Sequence, residues 1–75
     1  MTPGQSKAAR SWLGWSMDKA AAEAGIAKST LVRFEKGENV MHRIVLSLEK
    51  AYTAAGVEFQ GKIGVIYRQA DSDDG

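Results

Sequence analysis

The sequence predicts a mainly α domain of four short helices followed by a short C-terminal β-hairpin. Apolar residues recur at helical spacing through the first 55 residues, and glycines at positions 14, 25, 37 and 56 interrupt the pattern. After Gly56 the period changes, because Val57-Glu58-Phe59 alternates and residues 63–68 are rich in β-branched and aromatic side chains. A chain of 75 residues accommodates one such domain.

The first two helices have recognisable start signals. Thr2 suits an N-cap and Pro3 suits the first helical position, which predicts a helix over residues 3–13. Ser16 is expected to cap the second helix, whose apolar stripe consists mostly of small side chains that let another helix approach closely: Met17, Ala20, Ala21 and Ala24. Trp12 and Trp15 are expected to lie in the core.

A third helix is predicted over residues 28–36, after a turn at Gly25 and a buried Ile26. One side of this helix is apolar and includes Leu31 and Phe34. The opposite side has three cations, a hydroxyl, an exposed valine and no acid: Lys28, Ser29, Val32, Arg33 and Lys36. The pattern of apolar residues at 41, 44, 45, 48, 52 and 55 then predicts a fourth helix over residues 41–55.

Composition restricts the classes of function. The absence of cysteine excludes disulfides and thiolate metal sites, and no apolar run reaches the ~18 residues of a membrane span. The N-terminus lacks the apolar core of a signal peptide, so we expect a cytoplasmic protein. The only histidine, His42, has no evident catalytic or metal-binding partners. We therefore expect no enzyme activity, no metal and no cofactor.

Charge is distributed unevenly along the chain. Residues 1–43 contain seven cations and four acids, whereas residues 44–75 contain three cations and five acids. A basic N-terminal part favours an anionic partner. We expect a single domain over residues 1–68, with its hairpin over residues 57–68, and a disordered acidic tail over residues 69–75.

Two short helices joined by a tight glycine turn, the second with a basic outer face, predict a helix-turn-helix over residues 16–37. The outer face of the third helix would then project far enough to enter a DNA major groove about 12 Å wide. In such a groove Val32 would contact a thymine methyl group. The alternative is that Val32 is one of the scattered apolar residues found on any protein surface.

The segment WSMDKAAAEAGIAKSTLVRFEKG resembles the helix-turn-helix of the XRE family of lambda-repressor-like, Cro-type regulators, and the similarity covers residues 7 to about 56. The resemblance implies a four-helix bundle that binds double-stranded DNA as a dimer, in most members as a transcriptional repressor. It implies base contacts from Lys28, Ser29 and Arg33. It also implies a structural ion pair between Arg10 and Glu35.

Contacts with DNA phosphates are expected around the third helix. Lys36, Asn39 and Arg43 are expected beside the groove, and Ser16 and Met17 open the second helix, whose free N–H groups suit a phosphate. The chain departs from the family pattern at three positions. Met17 replaces the usual phosphate-binding glutamine, Ala20 replaces a common leucine, and Ala27 replaces the usual serine or threonine cap, a loss of about 1 kcal/mol.

The hairpin suggests how a small domain gains further stability. A two-stranded hairpin has only marginal stability on its own. The apolar residues of this hairpin predict a symmetric dimer formed through the hairpin and the fourth helix. The predicted interface consists of Val57, Phe59, Val65, Ile66 and Tyr67. Two recognition helices would then lie about 34 Å apart on a palindromic operator. The leading hypothesis is a dimeric repressor; the alternative is an antitoxin or another protein-interaction module with the same fold.

Overall fold

The computed structural model describes residues 1–68, which form four helices and one antiparallel two-stranded sheet. The elements in chain order are α1 Pro3–Leu13, α2 Met17–Ala24, α3 Lys28–Glu35, α4 His42–Ala54, β1 Val57–Gln60 and β2 Gly64–Tyr67. The predicted fold class, a helical bundle with a C-terminal hairpin, is confirmed. The predicted acidic tail, residues 69–75, lies outside the described residues.

The helix start signals act as the sequence predicts. Thr2 Oγ1 accepts from the backbone N–H of Gln5 at 3.2 Å, and the Gln5 side chain accepts from the Thr2 N–H at 2.9 Å. This reciprocal capping box places Pro3 at the start of α1. Ser16 caps α2 by accepting from the N–H of Lys19 at 3.0 Å. By contrast, α3 begins after Ala27 without a side-chain cap.

A Schellman motif ends α3. Gly37 has a φ of 91°, and its N–H donates to the carbonyl of Phe34 at 2.9 Å. The N–H of Glu38 donates to the carbonyl of Arg33 at 3.0 Å. Both bonds require the left-handed conformation that glycine adopts without strain. The helix is therefore one residue shorter than predicted, and Lys36 is its capping residue.

The core lies where the four helices and β1 meet. Its buried apolar members are Ala9, Ala20, Ala21, Leu31, Phe34, Leu48, Tyr52 and Val57. The alanines of α2 let this helix pack closely against both α3 and α4, as their size predicted. Ile26 was expected to be buried but is only partly so, although it does pack against the core.

The expectation that Trp12 lies in the core was wrong. Trp12 is 63% exposed and stacks on Tyr67, with ring centroids 6.3 Å apart. The buried side of α1 is formed instead by Gln5, Ser6 and Ala9, and this leaves Trp12 at its edge. Met41 is 60% exposed because it precedes the first turn of α4 and so does not follow the phase of that helix.

The hairpin is fastened to α1 by a buried glutamine. Gln5 Nε2 donates to the carbonyls of Gly61 and Gly64, both at 3.0 Å, and Thr2 Oγ1 donates to the carbonyl of Lys62 at 3.0 Å. The strands pack on α1 and α4. Ile63, which was expected to begin the second strand, lies in the turn and is 93% exposed.

Most of the residues predicted at the dimer interface pack within the protein itself. Val57 pairs with Tyr67 and Phe59 with Val65, and all four side chains pack against the protein's own core. Val57 is only 2% exposed and cannot reach a second chain in this fold. Of the five residues predicted at the interface, Ile66 alone faces away from this core, because side chains alternate along a strand.

Candidate nucleic-acid interface

Helix α3 is buried on one side and open on the other. Leu31 is fully buried and Phe34 is 6% exposed, so both hold the helix against α1 and α2. On the opposite side Lys28, Ser29 and Arg33 are exposed. Val32, expected to be exposed, is partly buried. The structure therefore presents three polar, base-contact candidates together on one face of an anchored helix.

A buried ion pair fixes α3 to α1. Arg10 Nη2 donates to Glu35 Oε1 at 2.7 Å, and Arg10 Nε donates to Glu35 Oε2 at 2.9 Å. The Glu35 side chain is 2% exposed and that of Arg10 is 19% exposed. Two parallel bonds of this kind fix both distance and orientation. The pair predicted from the resemblance is thus present, and it sets the position of the C-terminal turn of α3.

Two further side chains extend this network. Ser6 Oγ donates to Glu35 Oε2 at 2.7 Å and lies 2.9 Å from the Tyr52 hydroxyl. The network therefore joins α1, α3 and α4 around one carboxylate. Sequence reasoning missed Ser6, although its position four residues before Arg10 places both on one face of α1.

The network changes the protonation of two of its members. The hydrogen bond from Arg10 to Glu35 raises the pKa of the Arg10 guanidinium above its ordinary value, despite opposing desolvation. Burial raises the pKa of the Tyr52 hydroxyl, the hydrogen bond with Ser6 opposes this rise, and the charge of Glu35 adds to it. Tyr52 thus remains neutral to higher pH than a tyrosine in water.

Two acids from outside α3 lie beside its basic face. Lys28 Nζ is 3.3 Å from an oxygen of Asp18, in the first turn of α2, and Arg33 Nε is 3.2 Å from Glu38 Oε1. The helical pattern predicts no acid on this face, because it includes only the residues of α3 itself. All four side chains are more than half exposed, so these pairs contribute little to stability.

The predicted phosphate-contact residues occupy two places. Ser16 is exposed at the N-cap of α2, whereas the Met17 side chain packs against the core, which leaves its backbone N–H for an anion. Lys36, Asn39 and Arg43 are exposed. An open groove of about 550 Å³ between α3 and the start of α4 is lined by Thr30, Arg33, Asn39, Val40, Met41, Arg43 and Ile44. This groove brings Arg33 together with Asn39 and Arg43.

His42 is exposed at the start of α4. Residues 1–68 contain no group of three or more histidine, cysteine or acidic side chains placed to bind a metal ion. Within the same residues, no helix has the length and apolar character needed to cross a membrane.

A compact helix-turn-helix with a basic, outward-facing second helix defines a class of nucleic-acid-binding domains. A helix-turn-helix family model matches residues 7–55, which is more than half of the chain. The protein therefore belongs to this family, as an XRE-like helix-turn-helix DNA-binding protein. No curated protein sequence matches the chain.

Proposed function

We propose that the protein is a sequence-specific transcriptional regulator, a repressor, that inserts α3 into the DNA major groove. The observation that carries this proposal is the division of α3 into two sides. Leu31, Phe34 and Glu35 fix the helix in the domain, while Lys28, Ser29 and Arg33 remain accessible. A recognition helix needs both properties, because its base contacts depend on a rigid support.

The proposed contacts follow from the chemistry of the side chains. Arg33 has the donor geometry for the O6 and N7 atoms of guanine, Lys28 suits guanine or a phosphate, and Ser29 suits either. Val32 is partly buried, so its proposed contact with a thymine methyl involves only its outer surface. Lys36, Asn39 and Arg43, with the start of α2 at Ser16 and Met17, would contact phosphates and orient the domain.

We further propose that two copies bind a palindromic operator. The exposed apolar side chains that a second copy could cover are Trp12, Leu46 and Ile63, together with the partly exposed Ile66. Leu46 lies on α4 and the other three lie on or beside the hairpin. Phe59, Val65 and Tyr67 of the predicted interface are partly exposed beside these residues and stay part of the proposed surface, whereas Val57 is buried in the protein's own core.

The test of the proposed function is a binding titration with duplexes that the native protein selects from a randomised pool. Native protein, Arg33→Ala and Lys62→Ala are compared at two salt concentrations. Lys62 is an exposed cation in the hairpin turn, so its removal controls for net charge. We expect Arg33→Ala to lose about 1–3 kcal/mol of discrimination at individual base pairs, and Lys62→Ala to keep it.

Four results would contradict different parts of the proposal. Failure to select any sequence would exclude sequence-specific DNA binding and would favour the protein-interaction alternative. Equal behaviour of Arg33→Ala and Lys62→Ala would remove Arg33 from the contact surface. A stoichiometry of one chain per selected duplex, measured by sedimentation, would exclude the dimer. Unchanged transcription from a promoter that contains the selected site would exclude repression.

A further inference from the structure

We propose that Glu38 is a positioning residue for Arg33 and thereby helps to determine DNA specificity. Glu38 lies in the loop after α3 and its carboxylate contacts Arg33 Nε at 3.2 Å. Neither the family match nor the sequence pattern points to this residue, because it lies outside the recognition helix. The inference rests on the proposed function, in which Arg33 contacts a guanine.

The backbone of Glu38 is fixed relative to Arg33 by the end of α3. Its N–H donates to the carbonyl of Arg33 at 3.0 Å as part of the Schellman motif at Gly37. The Glu38 side chain then returns to the side chain of the same arginine. Arg33 and Glu38 are therefore linked twice, once through the main chain and once through the side chains. A loop carboxylate without the first link would move independently of the helix.

The contact selects which edge of the guanidinium remains available. An arginine has five N–H donors, of which Nε supplies one and the two terminal nitrogens supply the others. With Nε bonded to Glu38, the free donors are those of Nη1 and Nη2. These two nitrogens form the end-on fork that matches the O6 and N7 atoms of guanine. Glu38 thus limits the rotamers of Arg33 to those that present this fork.

The electrostatic balance explains why an acid at this place favours specificity over affinity. A carboxylate beside DNA is repelled by phosphates and lowers affinity for every duplex. In water the Arg33–Glu38 pair is weak, since the two side chains are 56% and 53% exposed. Inside a groove that excludes water, the same pair strengthens and holds Arg33 more firmly. Glu38 therefore lowers the affinity for all duplexes, whereas the firmer positioning of Arg33 raises the affinity only for the duplex with guanine at that position.

The hairpin provides a matched control for this pair. Glu58 on β1 contacts Arg68 Nη2 at 3.2 Å, and both of these side chains are also more than half exposed. Glu58→Ala therefore removes the same charge from an equivalent surface pair. Glu58 is on the outer side of the hairpin, opposite Ile66 of the proposed dimer surface, so the comparison uses the ratio of affinities for two duplexes, in which a change in dimer stability cancels. A general effect of net charge on DNA binding would appear equally in Glu38→Ala and Glu58→Ala.

The experiment measures discrimination against an A·T pair at the guanine position that Arg33→Ala identifies in the selected duplex. We expect the native protein and Glu58→Ala to discriminate by about tenfold or more, and Glu38→Ala by at most about a third of that factor. Glu38→Gln should retain much of the discrimination, because its carbonyl oxygen can still accept from Arg33 Nε. Both Glu38 variants keep the backbone N–H of the Schellman motif, and their thermal melting checks the fold.

Each other outcome overturns the inference. Discrimination by Glu38→Ala equal to that of Glu58→Ala would show that Glu38 does not position Arg33, although DNA binding would stand. Equal losses in Glu38→Gln and Glu38→Ala would assign the effect to charge rather than to orientation. A native protein that selects a sequence but shows no dependence on Arg33 would refute the inference alone, whereas one that selects none would overturn the proposed function as well.

Discussion

Arg10 Nη2 lies 2.7 Å from Glu35 Oε1, and this pair joins the first helix to the helix that faces outward with its basic side. The carboxylate is almost completely buried, with a side-chain exposure of 2%, whereas the guanidinium retains 19%. The two partners therefore differ in how they would respond to loss of the other. An unpaired Arg10 can reach water, but an unpaired Glu35 cannot.

This asymmetry predicts that Arg10→Met destabilises the protein more than Glu35→Gln. The first change leaves a buried carboxylate with Ser6 as its remaining donor, and should lower the free energy of unfolding by about 3–5 kcal/mol. Glu35→Gln keeps an acceptor for Arg10 and Ser6 and should cost about 1–3 kcal/mol. Urea denaturation measures both. The double variant should be more stable than Arg10→Met alone; if it is less stable, the buried charge is not the cause.

Because the pKa of Tyr52 is raised, we expect the protein to lose stability at alkaline pH. Because this pKa in the fold is raised above 10.0, the folded state keeps the proton that the unfolded state releases. This contribution to the free energy of unfolding is complete below pH 10 and is lost as pH rises through the pKa of the folded state. Tyr52→Phe removes the titration, at a cost of about 1 kcal/mol for the lost hydrogen bond with Ser6.

The measurement is the urea midpoint of both proteins as a function of pH. The difference between native protein and Tyr52→Phe should be largest near neutral pH and should shrink above pH 10. All other ionisable groups are the same in the two proteins, so their contributions cancel in the comparison. A constant difference across the alkaline range would mean that Tyr52 titrates equally in the folded and unfolded states.

A single methyl group added at Gly56, at the base of the hairpin, should strongly destabilise the protein. The φ of Gly56 is 106°, and a Cβ there would collide with the carbonyl oxygen of Arg68. Gly25 also has a positive φ, of 68°, but a Cβ there would meet nothing within 4 Å. We expect Gly25→Ala to cost about 1–2 kcal/mol and Gly56→Ala at least about 1 kcal/mol more. Equal melting temperatures for the two variants would contradict this.

Removal of the Arg43 side chain should change the salt dependence of DNA binding. If this side chain contacts a phosphate, Arg43→Ala should lower the slope of log affinity against log salt by about 1 and weaken binding to all duplexes alike. Lys50 is the control, because it lies on the same side of α4, two turns further along the helix. Lys50→Ala should change the slope much less. Equal slopes for the two variants would place Arg43 outside the contact surface.

The sequence was most informative where local signals determine structure. Capping at Thr2 and Ser16 and the glycine at position 37 set the helix ends to within one residue of those predicted. These features depend on neighbours in the chain, so they can be recognised without the fold. The family resemblance supplied the Arg10–Glu35 pair, which links residues too distant in sequence for any local pattern to reveal.

Tertiary packing determined the features that the sequence did not predict. Gln5 was overlooked although Thr2-x-x-Gln5 is a capping-box pattern, and its contacts with the hairpin turn depend on where the hairpin docks. Docking also placed Trp12 at the surface and Val57 in the core. Asp18 and Glu38 approach the basic face from other elements, so no single-helix pattern could include them.

The two-sided construction of α3 has a consequence for how DNA targets could change during evolution or by design. The residues that hold the helix in place, Leu31, Phe34 and Glu35, alternate with the exposed positions 28, 29 and 33. Exchanges at the exposed positions leave the packing contacts intact and surface substitutions are energetically mild. Substitutions at these three positions, together with Glu38, could therefore change the operator preference of the domain while its melting temperature stays nearly constant.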